Sequence, residues 1–278
     1  MIIKNKINKL VRYLTPEIVS FLVRFAPHLL VEIKERGLVT VKMDYEPAEI
    51  VLAAESIIEY KTRRFSCRKE PETIQWIEKY MGPGDVVYDV GANVGAYSLV
   101  IDKHTRGQAK VYAFEPSFST FAQLSKNIYL NGCQGRVIPL GIALSSSTQL
   151  DVLNYSSLLP GTALHALGKP INQLGQDFKP VLEQPVLSYS LDDLIEVFRL
   201  ERPSHIKLDV DGIELEILNG AGVTLNWPGL KSIQVEMEPS LEVCQVIVDY
   251  LLEKGFRLEL ISYHGSETET SNYLFVRA

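Results

Sequence analysis

Little in this chain of 278 residues could staple it together from outside. It holds three cysteines, Cys67, Cys133 and Cys244, with no C-x-x-C pair and no Cys/His cluster at zinc-ligand spacing. That excludes a disulfide framework, and three reduced thiols fit a cytoplasmic protein. Long apolar runs are missing too. The most apolar early stretch, Ile18 to Val31, is broken by Arg24, Pro27 and His28 and is too short to span a bilayer. The opening Met1-Ile2-Ile3-Lys4 shows no apolar core or cleavage site of a signal peptide. Positive charge is not in excess: 28 Lys and Arg face 34 Asp and Glu, a net charge of -6, so no nucleic-acid partner is expected. Internal repeats and low-complexity tracts are absent. A chain this long can bury a sizeable core without help.

The chain does carry clear periodicity. Residues 1–35 read as one or two helices, in which Lys4, Lys6, Lys9 and Arg12 alternate with Ile3, Ile7, Leu10, Val11 and Leu14. Such a basic amphipathic helix either lies on an anionic membrane surface or packs on the domain or on a second subunit, as in a homodimer. Leu38 to Met43 reads as a strand, Ala48 to Lys61 as a helix, and Pro71-Glu72-Thr73 opens another helix that Gly82-Pro83-Gly84-Asp85 stops. From Val86 the pattern changes to strand (86–90), loop, helix (96–104), strand (111–115), helix (to about Leu130) and strand (136–140). This β-α-β-α-β order predicts an α/β fold with a doubly wound parallel sheet. Residues 145–185 show one strand, Gln149 to Asn154, and otherwise read as a lid or binding loop. A helix (190–198), a strand (205–210), a helix (214–220), a strand (232–236), a helix (241–254) and a terminal strand pair complete the chain. The division expected is a helical N-terminal extension, 1–64, and one domain, 65–278.

The loop after the first core strand carries the chemistry. Asp89 to Gly95 has the form D-x-G-x-x-x-G between a strand and a helix. Gly91 permits a tight turn and a close backbone approach, and Gly95 permits close packing of the helix. The dinucleotide fingerprint G-x-G-x-x-G is not met, which disfavours a nicotinamide dinucleotide. Asp89 would repel a pyrophosphate but suits a cationic amino-acid moiety, directly or through water. Glu115, at the end of the second strand, is placed to accept hydrogen bonds from a ribose diol. The charge sense fits S-adenosyl-L-methionine (SAM), with its ammonium and sulfonium.

With these residues the chain resembles the FkbM-type family of SAM-dependent methyltransferases. The resemblance rests on Val86 to Ser98 (VVYDVGANVGAYS), Ala113-Phe114-Glu115-Pro116, Ala143-Leu144-Ser145, Ser190-Leu191-Asp192-Asp193 and Ile206 to Ala221 (IKLDVDGIELEILNGA) in that order. It covers roughly residues 65–240. It implies a class I, Rossmann-like methyltransferase fold, whose seven-stranded, mostly parallel sheet has an antiparallel last strand. It also implies O-methylation of a hydroxyl on a sugar, glycan or secondary metabolite. The cofactor contacts it implies are Glu70, Asp89, Gly91, Ala92, Asn93, Gly95, Glu115, Pro116 and Ala143. Asp211 departs from the family, where Glu is more usual.

An alcohol needs a base, or a metal that lowers its pKa, to attack a methyl group. Asp209 is the first candidate to orient or deprotonate the acceptor and Glu236 the second. Asp209, Asp211 and Glu236 could instead hold one magnesium ion. Glu214 reads as a helix N-terminal acid. His165, His205 and His264 read as surface histidines, with His165 in the lid, and Tyr155, Tyr189 and Tyr263 as loop aromatics that either line the acceptor site or pack. A non-catalytic SAM-binding module on the same fold is the competing function.

Overall fold

A computed structural model describes residues 16–171, 176–263 and 270–278. Two compact units divide the chain, one ending at Thr40 and the other running from Val41 to Ala278. In the first, α1 (residues 16–25) is followed by α2 (Pro27–Arg36). Pro27 opens α2 at a position where a missing N–H removes no intrahelical bond.

After α2 the chain continues with β1 (Thr40–Lys42), which spans the division, and then β2 (Val51–Ala53), α3 (Ile57–Lys61), α4 (Ser66–Lys69) and α5 (Pro71–Tyr80). The first parallel half follows as β3 (Val86–Val90), α6 (Ala96–His104), β4 (Lys110–Phe114), α7 (Phe118–Leu130) and β5 (Val137–Leu140). Next come β6 (Ala143–Leu144), β7 (Gln149–Tyr155), β8 (Ala166–Leu167), β9 (Leu182–Tyr189) and α8 (Leu191–Phe198). The chain ends with β10 (His205–Leu208), α9 (Glu214–Asn219), α10 (Gly222–Leu225), β11 (Ser232–Met237), α11 (Glu242–Glu253), β12 (Phe256–Tyr263) and β13 (Ser271–Arg277).

Seven strands form one sheet in the order β12-β13-β11-β10-β3-β4-β5. The pairs β3/β4, β4/β5, β3/β10 and β10/β11 are parallel, and the last strand, β13, is antiparallel to both its neighbours. This is the class I methyltransferase architecture expected from the sequence. Strand order reverses between β3 and β10, and in such sheets ligands bind beyond the carboxyl ends at that switch point.

Three differences from the sequence reading have local causes. Residues 48–61 are not one helix. The N–H groups of Val51 and Ala53 donate to the side chains of Asn131 and Asn127 at 2.9 and 2.7 Å, so the segment runs extended along α7. Only Ile57–Lys61 coils, behind a capping box of Ser56 and Glu59. Residues 145–185 hold β7, β8 and the start of β9, which with β6 make a second, four-stranded sheet in the order β6-β9-β7-β8. The contact division also falls at 40/41 where the sequence reading drew 64/65, because Val41, Met43, Ile50 and Leu52 are buried with Trp76 and Ile77 of α5.

The faces of the large sheet differ. On one, Tyr88, Val90, Ile206, Leu208, Ile233 and Val235 pack with α8 to α11 as an apolar core. On the other, alternation along the strands presents a polar row under α5 and α6. It runs from Asp85, His205 and Ser232 at the amino ends, through Gln234 and Lys207, to Asp89, Asp209 and Glu236 at the carboxyl ends.

Candidate active site

The loop after β3 is shaped by backbone contacts. Gly91 and Ala92 both donate to the Phe114 carbonyl, at 3.1 and 2.9 Å, which folds the loop over β4. Asp209 donates its N–H to the Val90 carbonyl at 3.0 Å, drawing the end of β10 against Gly91. Gly91 has φ +78°, and any side chain there would collide with the Asp209 carbonyl oxygen. Bare backbone is therefore the only wall possible at this point. Gly95 (φ +86°) has Leu124 of α7 2.6 Å from where a Cβ would lie, so α6 starts in close contact with α7.

A cavity of about 250 Å³ opens at the carboxyl ends of β3, β4, β10 and β11. Of the residues expected from sequence, Gly91, Asn93, Glu115, Pro116, Ala143, Asp209 and Glu236 line it. Glu70, Asp89, Ala92 and Gly95 are not on its wall. Glu115 accepts from the N–H groups of Asn93 and Ser117 at 3.0 and 2.9 Å, one on each oxygen. Those bonds favour the ionised form, but burial outweighs them and pushes its pKa up to about 7. A carboxylate has room for further donors after these two. Asp89 lies behind the wall, 1% exposed. Its Oδ2 accepts from Ser98 at 2.5 Å, while its Oδ1 has no partner among the described residues.

The residue that sequence reasoning missed is Lys207. It stands in register with Asp89 on the neighbouring strand and is 1% exposed. Its ammonium pairs with Asp209 and lies 4.8 Å from the centre of the Tyr97 ring. Burial works against its charge, but Asp209, Glu70 and Asp89 together outweigh it and keep the ammonium charged. Burial likewise opposes a charge on Asp209, and Lys207 overrides it, holding the carboxyl below its ordinary value. Glu236 goes the other way: burial, then the charges of Asp209 and Glu70, push it up so that it holds its proton. The charge on Asp209 is one of the causes that keep Glu236 protonated. The site thus contains one ionised and one protonated carboxyl side by side, an acid–base pair set by environment. A signal for Lys207 was present in the alternation His205-Ile206-Lys207-Leu208-Asp209, which puts all three polar residues on one face.

Residues 156–168 cover the cavity. Arg63 donates through Nε and Nη2 to the Gly161 carbonyl at 3.0 and 2.8 Å, and Asn93 Nδ2 donates to the Thr162 carbonyl at 3.1 Å. Asp211 accepts from the N–H groups of Leu164 and His165 at 2.6 and 3.1 Å, with Leu164 in the left-handed region at φ +65°. Burial, and then the charge of Asp209, raise Asp211 to about 7. Glu214, buried in the first turn of α9, is raised to about 8, chiefly by burial.

Several expectations change. His205 is fully buried, not at the surface: its Nδ1 is 2.7 Å from Ser232 Oγ and its Nε2 3.4 Å from Asp85. His165 is half-buried in the cavity wall, and burial lowers it to about 4. Tyr155 is a packing residue, fully buried against Phe118 and His165, and Tyr189 meets Phe198 edge to face. Tyr263 ends β12, and His264 lies outside the described residues. The magnesium expectation gains no support. Among the described residues no three such side chains are arranged to hold a metal, and Asp209 and Asp211 face an ammonium and two backbone N–H groups.

The residues present fit SAM: a side-chain-free wall at Gly91, a carboxyl at Glu115 with acceptor capacity left, and the unpartnered Asp89 Oδ1 beneath the loop.

The family described as Methyltransferase FkbM domain matches residues 89–258. The hexuronic acid methyltransferase AglP of Haloferax volcanii is 30% identical over 153 residues, 55% of this chain and 56% of that protein. The match therefore spans little more than half of that relative's length. The 31-O-demethyl-FK506 methyltransferase FkbM of Streptomyces tacrolimicus is 27% identical over 192 residues, 63% of this chain and 73% of that one. Among solved structures, the tRNA m1G37 methyltransferase of M. jannaschii is 15% identical with a TM-score of 0.48, covering 87% of this chain and 57% of that one.

Proposed function

This chain belongs to the FkbM methyltransferase family, and from that premise we propose that it transfers a methyl group from SAM to a hydroxyl of a sugar, glycan or secondary-metabolite acceptor. The observation that carries the reading is the Lys207–Asp209–Glu236 cluster at the floor of the cavity. When bound, the cofactor supplies an electrophilic methyl group and a neutral thioether as leaving group. Gly91 lets the backbone approach it, and Glu115 accepts hydrogen bonds from its ribose. Asp209 accepts the proton of the acceptor hydroxyl as the new C–O bond forms. Glu236, protonated, fixes the orientation of Asp209, and Lys207 keeps Asp209 charged in a buried place where it would otherwise take up a proton. Positioning by such groups can contribute several kcal/mol, up to about 7–11 in favourable systems.

The hexuronic acid in the name of one relative and the O-demethyl substrate in that of another support an oxygen acceptor. In this reading residues 145–185 form the acceptor-selecting cover. The acidic net charge supports a small-molecule rather than nucleic-acid acceptor, and three free cysteines support a reducing, cytoplasmic setting. Among the described residues no helix is long and apolar enough to cross a membrane.

Calorimetry should show binding of S-adenosyl-homocysteine and none of NAD. Methyl-labelled SAM, offered with a panel of uronic acids and polyketide alcohols, should place label on a hydroxyl oxygen. Cofactor binding with no label in any acceptor or cell extract would favour the non-catalytic module, and absence of cofactor binding would sink the whole reading.

A further inference from the structure

Residues before Thr40 differ in kind from the rest of the chain. Residues 1–36 carry seven Lys and Arg against three Glu, so the net charge of -6 divides into +4 here and -10 beyond. In α1, Glu17, Ser20 and Arg24 fall at i, i+3 and i+7, a single narrow stripe, and every other position from Ile18 to Phe25 is apolar. Those apolar side chains are uncovered: Phe21 is 60% exposed, Val23 59% and Phe25 63%. The same holds along α2, where no residue is buried and Val31 and Ile33 are more than half exposed.

A helix that is apolar over most of its circumference is stable only when something covers it. The ten described residues of α1 extend about 15 Å, roughly half the hydrocarbon thickness of a bilayer. Arg24 and Pro27 end the apolar run, so the segment cannot cross and would lie in the plane of an interface. We propose that α1 docks this protein on an anionic lipid bilayer, with Phe21, Val23 and Phe25 seated among the acyl chains, and that the preceding sequence with Lys4, Lys6, Lys9 and Arg12, which lies outside the described residues, supplies the positive charge. The sign of the charge selects this occupant. A second copy of the segment would bring +4 against +4, whereas an anionic bilayer pairs with it and repels the acidic remainder. The inference goes beyond methyl transfer and does not depend on it.

Vesicle flotation of the full chain tests it, using phosphatidylcholine alone and phosphatidylcholine with phosphatidylglycerol. The chain should float with anionic vesicles, about tenfold or more weakly with neutral ones, and should be released by high salt. Phe21→Ser/Phe25→Ser and, separately, Lys4→Gln/Lys6→Gln/Lys9→Gln should each lower binding about tenfold. Because α1's phenylalanines are exposed, the thermal midpoint of the first variant should not move, which separates loss of docking from loss of fold. The proposal fails if the folded wild-type chain ignores anionic vesicles. It also fails if sedimentation shows a dimer that Phe21→Ser/Phe25→Ser abolishes, since a second copy would then be the cover.

Discussion

The two ends of the polar row on the large sheet are built from the same strands and the same residue types, yet they are balanced differently. At the amino ends every group has a partner. Asp85 accepts from Lys231 at 2.5 Å and from the Gly82 N–H at 2.8 Å, and it faces His205 Nε2. Trp76 Nε1, which can only donate, donates to Ser232 Oγ at 2.8 Å, so the Ser232 hydroxyl is free to donate to His205 Nδ1. At the carboxyl ends Asp89 Oδ1 has no partner among the described residues, Glu236 is forced to keep its proton, and Lys207 is shared among several acids. A buried acid without a full set of partners costs stability. Locally inconsistent charge of this kind persists where function uses it. The amino end holds the sheet together, and the carboxyl end is where chemistry is expected.

The sharpest way to break the comparison is to remove one carboxylate from each end. Asp209→Asn should lower turnover about 10³-fold, within the range of general-base effects, while S-adenosyl-homocysteine binding changes little. Its thermal midpoint should fall as well, since the buried Lys207 loses its ion-pair partner, so turnover is measured per folded molecule. Full turnover in this variant would remove Asp209 from the chemistry. Lys207→Met should act in the same direction, because Asp209 then loses the charge that keeps it ionised, and Lys207→Arg should restore part of the rate. If Lys207→Met changed stability alone, the lysine would belong with the structural end of the row.

Asp85→Asn should do the reverse. Breaking a buried, hydrogen-bonded pair there should cost about 3 kcal/mol in urea unfolding, with turnover per folded molecule unchanged. Burial works against the Asp85 charge, but the bonds from His205 and Lys231 win and hold its pKa well below the ordinary carboxylate range. Its contribution to stability is thus complete above about pH 4 and is lost as pH falls toward the lowered folded value. The variant should flatten that acid limb of the stability profile. An unchanged limb would show that other carboxylates govern acid unfolding.

The same alternation explains how much of this was legible beforehand. The parallel strands announced themselves because β3 and β4 are dense in Val and aromatic residues, and the glycines of the β3 loop marked one wall of the cavity. Lys207 was overlooked because a single lysine inside an apolar run reads as part of the run, and only pairing with Asp89 across the sheet shows its place. The second sheet was hidden by Pro185, which argues against a strand, although it lies opposite Val152 in the middle of β9. Arg63, Thr162 and His165 reach the cavity from segments with no periodicity, and Ala48–Lys61 resembled a helix because side chains of α7 supply the bonds that hold it extended. Contacts between segments distant in the chain leave no local pattern to read.

The smallest expected effect concerns Glu115, and it sharpens the comparison on the cofactor side. In the free protein burial raises this carboxyl to about 7, against an ordinary value near 4.3. A raised acid favours the folded state at low pH, so this contribution to stability is complete below about pH 4 and declines as pH climbs to 7. Ribose hydroxyls donate, so the ionised form is the one that binds them. Affinity for S-adenosyl-homocysteine should therefore weaken by up to about tenfold per pH unit below 7 and level off above it, with uptake of ligand releasing up to one proton. Calorimetry in two buffers of different ionisation enthalpy measures that proton directly. Asp211 also titrates near 7, so the variant decides the assignment: Glu115→Gln should bind more weakly at pH 8 and lose most of the pH dependence. A slope that survives Glu115→Gln would transfer the titration to Asp211 and leave the ribose without its proposed acceptor.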